Sequence, residues 1–211
     1  MIITKIKRLR GKKPRYTVLL DTAPSIELSD WTIGKFGLRT GDDLDEQTIQ
    51  KIQKAENETR AKNLAINFLS YRPRSSKEVI DHLLKKRFNR ECSMDVAEQL
   101  KSTGMVNDKN FAALFVRDRI LRKPIGERLL RQQLLAKGIG PEDVDLVLGE
   151  FVSDKSQYDA ALQAAKKKMK LSRSSLKRLD AEKRKKRVLD FLLRRGFSFE
   201  IALKALRSTI G

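Results

Sequence analysis

Ser75-Ser76-Lys77-Glu78-Val79-Ile80-Asp81-His82-Leu83-Leu84-Lys85-Lys86-Arg87-Phe88 is the stretch that decides the fold. It opens as a capping box, in which a serine hydroxyl and a glutamate carboxylate satisfy backbone N–H groups left free at a helix start. Val79, Ile80, Leu83 and Leu84 then recur at helical spacing and mark one apolar stripe. The ending returns twice downstream: Lys86-Arg87-Phe88, Lys137-Gly138-Ile139 and Arg195-Gly196-Phe197 lie 51 and 58 residues apart. Before the second ending the stripe is Leu129, Leu130 and Leu134; before the third it is Val188, Phe191 and Leu192.

Each of these helices has a predicted neighbour on either side. Ala61, Leu64, Ala65 and Phe68 precede the first and are closed by Arg72-Pro73; Val96, Ala97 and Leu100 follow it and stop at Gly104. In the second cycle Asp108 opens a helix with Phe111, Ala112, Phe115, Val116 and Ile120 inward, and Pro124 breaks it. Gly140-Pro141-Glu142-Asp143 starts the next, since proline suits the first helical position and acids the positive end of the dipole. Its stripe is Val144, Val147, Leu148 and Phe151. The third cycle uses Tyr158, Ala161, Leu162 and Ala165, and ends on Ile201, Ala205 and Leu206. A three-helix unit of this size cannot bury a full core alone and gains stability by packing on its neighbours. The expectation is a mainly α protein, an elongated array of three tandem three-helix repeats.

Ahead of the array the period is two. Ile2, Thr4 and Ile6 share a face, as do Tyr16, Val18 and Leu20, then Ile26 and Leu28, with turn residues at Gly11–Pro14 and Asp21–Pro24. This predicts a small antiparallel β-rich N-terminal extension. The domains read as 1–44 (the basic extension), 45–106 (a linker helix and the first repeat), 107–153 (the second) and 154–211 (the third, with a basic segment). Gly34–Gly41 lacks the lysine and hydroxyl of a P-loop and the spacing of a dinucleotide fingerprint, so it reads as turns. Trp31 is expected to pack between the sheet and the first helices.

The 211 residues carry 46 Lys+Arg against 27 Asp+Glu, a net charge of +19. Residues 1–16 hold seven basic groups and no acid, and residues 166–195 hold 14 basic and three acidic groups. Two blocks therefore supply almost all of the net charge, an asymmetry that points to an anionic partner. No apolar run approaches the roughly 20 residues of a membrane span. Met1–Lys5 shows no charged segment followed by an apolar one, so the expectation is a cytoplasmic protein.

Catalysis finds little support. Asp42, Asp43, Asp45 and Glu46 form the densest acidic cluster, but acids in a loop before a helix are good caps, and no spacing supports a metal site. His82 is the one histidine and Cys92 the one cysteine, which excludes a disulfide framework or a cysteine-based zinc site within one chain and leaves no second histidine to share a metal. The reading is no enzyme, no cofactor and no metal.

Binding is better supported. Arg72 and Arg74 flank a helix corner in the first repeat, and Arg117, Arg119, Arg122 and Lys123 cluster at the equivalent corner of the second. Lys166, Lys167, Lys168, Lys170 and Arg173 follow in the third, continued by Lys177, Arg178, Lys183, Arg184, Lys185, Lys186 and Arg187. Few aromatics lie among these charges, so phosphate tracking or contact with an acidic protein surface fits better than base stacking. A general nucleic-acid-binding helical module, for DNA or RNA and including a transcription regulator, is the competing class.

Arg72-Pro73-Arg74-Ser75-Ser76-Lys77-Glu78-Val79 with Leu83 and Lys86-Arg87-Phe88 resembles the RecX family of bacterial recombination regulators. So do Gly104-Met105-Val106-Asn107-Asp108-Lys109-Asn110-Phe111-Ala112, Arg119, Gly126, Leu134 and Lys137-Gly138-Ile139. The resemblance runs from about Leu64 to Phe151 and more weakly through the third unit. Arg87 departs from it, standing where a glycine is usual, as does the longer basic insertion between Lys170 and Arg187. The resemblance implies tandem three-helix repeats, no enzymatic activity, and the RecA recombinase filament on single-stranded DNA as partner. It implies inhibition of that filament's ATP hydrolysis, strand exchange and growth. The basic segments would contact single-stranded DNA, with duplex DNA as a second form, and the protein would act as a monomer.

Overall fold

The computed structural model describes residues 1–11, 14–171 and 180–210. Two compact units divide the chain: residues Met1–Arg72 with Val79–Thr103, and Pro73–Glu78 with Gly104–Gly211.

The first unit begins with a three-stranded antiparallel sheet, β1 (Ile3–Leu9), β2 (Arg15–Leu20) and β3 (Ile26–Ser29), in the order β1-β2-β3. β2 and β3 keep the alternation read from the sequence, with Val18 and Leu28 buried. β1 does not: Ile3 is fully buried and Ile2 is 45% exposed, so the face assigned to Ile2, Thr4 and Ile6 was one residue off at its start. The register slips between Ile3 and Lys5. A bulge inserts one residue and so puts Ile3 and Ile6 on the same side of the sheet.

Helix α1 (Asp30–Phe36) follows directly, capped by Ser29, whose side chain accepts from the Thr32 N–H. Trp31 is not the packing residue expected of it: it is 53% exposed, with the Lys35 ammonium 4.7 Å from its ring centroid. The inward position belongs to Thr32, fully buried, whose hydroxyl donates to the buried Glu56 carboxylate at 2.7 Å. The same carboxylate oxygen accepts from the Ser29 N–H and hydroxyl, and Arg15 lies 3.5 Å from the other. A carboxylate taken out of water requires such partners.

Asp45 caps α2 (Glu46–Leu69), its carboxylate accepting the Thr48 N–H at 2.7 Å. Asp42 accepts the Arg39 N–H, and Asp43 pairs with the N-terminal ammonium. Each aspartate of the acidic cluster is thus engaged in holding backbone. Ile49 and Ile52 on the first half of α2 join the sheet core, while Ala61 and Ala65 lie farther along, in the first repeat. That repeat adds α3 (Ser76–Lys85) and α4 (Arg90–Ser102), with Val79, Leu83, Val96 and Leu100 fully buried.

The second repeat comprises α5 (Asp108–Arg122), α6 (Glu127–Ala136) and α7 (Pro141–Phe151), and the third comprises α8 (Asp154–Leu171), α9 (Ala181–Arg194) and α10 (Phe199–Ile210). Their cores centre on Phe111, Val116, Leu130, Leu134, Val144 and Leu148, and on Ala161, Ala165, Val188, Leu192, Phe197 and Ala205. Ile120, read as inward, is 40% exposed, and Leu84 is 38% exposed; each sits at the margin of its apolar stripe.

The three second helices end in the same backbone motif. The N–H groups of Phe88, Ile139 and Phe197 donate to the carbonyls of Leu83, Leu134 and Leu192, five residues back, at 3.2–3.3 Å. Those of Arg87, Gly138 and Gly196 donate three residues back, each at 2.9 Å. This is the Schellman arrangement, which needs a left-handed residue after the helix and brings the following apolar residue onto the third residue from its end. The left-handed φ values are 66° at Arg87, 81° at Gly138 and 88° at Gly196. The leucines they fold back upon, Leu83, Leu134 and Leu192, are each 0% exposed.

Within the second unit these ends are also docking points. The Ser75 hydroxyl donates to the Lys137 carbonyl at 2.7 Å, Lys77 reaches the Ala136 carbonyl, and the Lys137 ammonium meets Glu78. One repeat on, the Gly126 and Arg128 N–H groups donate to the Arg195 and Gly196 carbonyls at 2.9 and 3.0 Å. The free amides that begin one second helix thereby meet the free carbonyls that end the next, satisfying both. A Cβ at Gly126 would lie 2.0 Å from the Gly196 carbonyl carbon, so only glycine permits this approach.

Candidate nucleic-acid interface

Proline at 124 ends α5 and leaves Lys123, its extended C-cap, at the corner leading to α6. Not all the cations of this corner are presented alike. The Arg119 guanidinium lies 4.8 Å from the Phe115 ring centroid, and that of Arg117 lies 5.7 Å from Phe151, so both cover aromatics of their own repeat. Arg122 pairs with Asp118 at 2.7 Å, one helical turn back. Lys123 faces a cleft.

That cleft has a volume of about 300 Å³ and lies wholly within the second unit. One side is Lys123 and Pro124. α8 supplies Ala164, Lys167, Lys168 and Leu171, and α9 supplies Phe191 with its C-cap Arg195. Small residues make the arrangement: Ala161, Ala164 and Ala165 let α8 approach α9 and α10 closely, and the lysines of the same helix then emerge at its C-terminal end, where cations are favoured. The Lys168 ammonium and the Arg195 guanidinium each lie 5.5 Å from the Phe191 centroid. Arg195 also donates to the Pro124 carbonyl at 3.3 Å, which fixes its side chain across the cleft.

Of the residues named from sequence, the cleft gathers Lys123, Lys167 and Lys168. Lys166 and Lys170 are exposed on α8 but do not line it. Lys183, Lys185, Lys186 and Arg187 are exposed and Arg184 half-buried on the first turns of α9. There Lys183 pairs with the cap Asp180 and Lys185 with Glu182, at 3.0 and 2.9 Å. The Lys183 backbone N–H, and then its side chain, hold the Asp180 carboxyl below the ordinary carboxylate range. Arg72 is exposed in the first unit, and Arg74 is half-buried in the second; neither lines the cleft. Arg173, Lys177 and Arg178 lie outside the described residues. Arg195 was missed: as part of a helix-ending motif it read as punctuation, although a cation beside the closing glycine of α9 was there to be noticed.

Among the described residues no three acidic, histidine or cysteine side chains converge as metal ligands. No helix among them is long and apolar enough to cross a membrane. Burial, first of all, pushes the Cys92 thiol up, away from the reactive thiolate.

The fold defines a repeat protein of tandem three-helix domains, and the cleft between two of its helices is lined by cations. Residues 61–100, 107–148 and 155–206 match the first, second and third three-helix domains of RecX. The chain is 33% identical over 207 residues to the regulatory protein RecX of Bacillus licheniformis, covering 98% of this chain and 77% of that one. It is 31% identical to the regulatory protein RecX of Listeria welshimeri, covering 97% and 74%. A crystal structure of regulatory protein RecX superposes with a TM-score of 0.76 at 26% identity, covering 98% of both chains. RecX from Lactobacillus salivarius shares the fold, with a TM-score of 0.63 over 74% of this chain and 97% of that one. The chain belongs to the RecX family.

Proposed function

We propose that the protein is a non-enzymatic regulator that binds the RecA filament on single-stranded DNA, inhibits its ATP hydrolysis and strand exchange, and limits its growth. It acts in the cytoplasm as a monomer. The observation that carries this reading is the concentration of Lys123, Lys167, Lys168 and Arg195 on one cleft, in a chain matched through all three RecX domains. Exposed Lys166 and Lys170 on the same helix extend the positive field around it. A field of one sign speeds encounter with an anionic filament, while the shaped part of the surface sets what is retained.

The test compares the parent with a variant carrying Lys166→Gln, Lys167→Gln, Lys168→Gln and Lys170→Gln. The parent should slow ATP hydrolysis by RecA on single-stranded DNA and bind RecA-coated DNA more tightly than bare DNA at matched salt. The variant should keep its helical content, inhibit less, and show a flatter dependence of log affinity on log salt, because fewer ion contacts form on binding. An unchanged slope with unchanged inhibition would reduce the lysines to a solvated helix face. Equal affinity for coated and bare DNA would favour the general nucleic-acid binder.

A further inference from the structure

The cleft between Lys123-Pro124, α8 and α9 differs from a surface that merely tracks phosphates, because half of its lining is apolar. Pro124, Ala164, Leu171 and Phe191 line it together with Lys123, Lys167, Lys168 and Arg195. Among the described residues no carboxylate lines it. Leu171, at the end of α8, is 75% exposed. The Phe191 ring on which a base would stack already carries the Lys168 and Arg195 cations, each 5.5 Å from its centroid. Phosphates alone would leave Pro124 and Leu171 uncovered.

We propose that the cleft receives an acidic segment of a partner protein, one large apolar side chain of that segment seated on Leu171 and Pro124 and its flanking carboxylates on the four cations. The chemistry is complementary at both levels. Burying an aromatic or branched aliphatic anchor in a small pocket is what usually dominates a protein contact. Arg195, already oriented by the Pro124 carbonyl, offers a planar fork suited to a carboxylate, and the three lysines supply point charges. The assignment gives the cleft to the protein component of the filament rather than to its DNA, and in that respect it rests on the function proposed above.

The probe is a fluorescein-labelled peptide of aspartate and glutamate with one central phenylalanine, titrated with the full chain and followed by anisotropy. A control peptide carries alanine in place of phenylalanine, and an oligothymidylate of equal length serves as competitor. The phenylalanine peptide should bind about tenfold more tightly than the control. Leu171→Ser, a change at an exposed position, should erase that difference, and Lys167→Gln should weaken both peptides and flatten their salt dependence. Equal binding of the two peptides would overturn the proposal. So would full displacement by oligothymidylate together with indifference to Leu171→Ser, which would make nucleic acid the occupant. If Leu171→Ser loses the peptide preference yet inhibits RecA as the parent does, the assignment to the filament fails while the proposed function stands. A parent that binds the peptide but never inhibits RecA would overturn the function instead.

Discussion

Arg87→Gly should stabilise the protein, although arginine is the larger residue and better suited to a basic surface. Arg87 is the one non-glycine residue with a positive φ among those described, at 66°, and it closes the same Schellman turn that Gly138 and Gly196 close. The left-handed conformation costs an L-residue about 1–2 kcal/mol through the contact of Cβ with the following carbonyl. Glycine escapes that contact but loses about 0.5–1 kcal/mol through its greater freedom in the unfolded chain. The difference favours glycine by roughly 0.5–1 kcal/mol, and because the arginine side chain is exposed, its removal changes little else. Trp31, the only tryptophan in the chain, lies in the same compact unit, so urea unfolding followed by its fluorescence reads the right part of the molecule. With a urea dependence of about 2 kcal/mol per molar, the midpoint should rise by roughly 0.2–0.5 M. Arg87→Ala keeps the backbone penalty and should leave the midpoint near the parent value. Gly138→Ala and Gly196→Ala should move stability the other way, read by circular dichroism. Gly196→Ala should be the worse, because its Cβ would sit 2.4 Å from the Leu129 backbone nitrogen, which cannot swing aside. An Arg87→Gly midpoint at or below the parent value would refute the argument. An equal gain in Arg87→Ala would show that removal of the positive charge, not the backbone, was responsible.

Gly126→Ser tests the docking of α9 on α6: a serine would add a side-chain cap worth only a few tenths of a kcal/mol over glycine. Its Cβ would fall 2.0 Å from the Gly196 carbonyl carbon, so thermal unfolding should show a loss near the upper end of the ~1–3 kcal/mol range for overpacking. Asp45→Asn tests the cap of α2. Hydrogen bonds from the Thr48 side chain and backbone hold the Asp45 carboxyl below its ordinary value. Its contribution is therefore complete above the unfolded-state value of about pH 4 and is lost as pH falls through the lower folded value. The asparagine variant caps without titrating and should lose less stability between neutral and acid pH, measured by urea midpoints across that range. A parallel acid limb in both proteins would remove Asp45 from the account.

Helix positions were legible because burial follows a 3.6-residue stripe, and a stripe survives small errors of phase. Leu83, Leu134 and Leu192 were placed from their spacing to the three helix endings and are fully buried. The sheet was less legible. With a period of two, a single inserted residue exchanges the faces, and the bulge after Ile3 did so to the start of β1. Trp31 misled for a related reason: size suggests burial, but a seven-residue helix has room for few inward positions. The buried Glu56 carboxylate claims one of them for the Thr32 hydroxyl. Glu56 itself carried no signal in the sequence, because a glutamate within a helix is ordinary until its partners on β3 and α1 are known.

The cleft was half legible, and the missing half is tertiary. A count of charge finds Lys166 to Lys170 but cannot say that Lys167 and Lys168 turn toward Lys123, some 44 residues earlier in the chain, while Lys166 and Lys170 do not. What brings these groups together is the glycine approach between repeats. The Gly126 N–H holds the Arg195 carbonyl, and the Arg195 side chain reaches back to the Pro124 carbonyl beside Lys123. The contact that satisfies two helix ends thus also sets the width and charge of the cleft. It follows that the cleft depends on three small features far apart in sequence, the proline that ends α5, the glycine that opens α6 and the glycine that closes α9. The lysine run contributes charge to a shape that these three residues define.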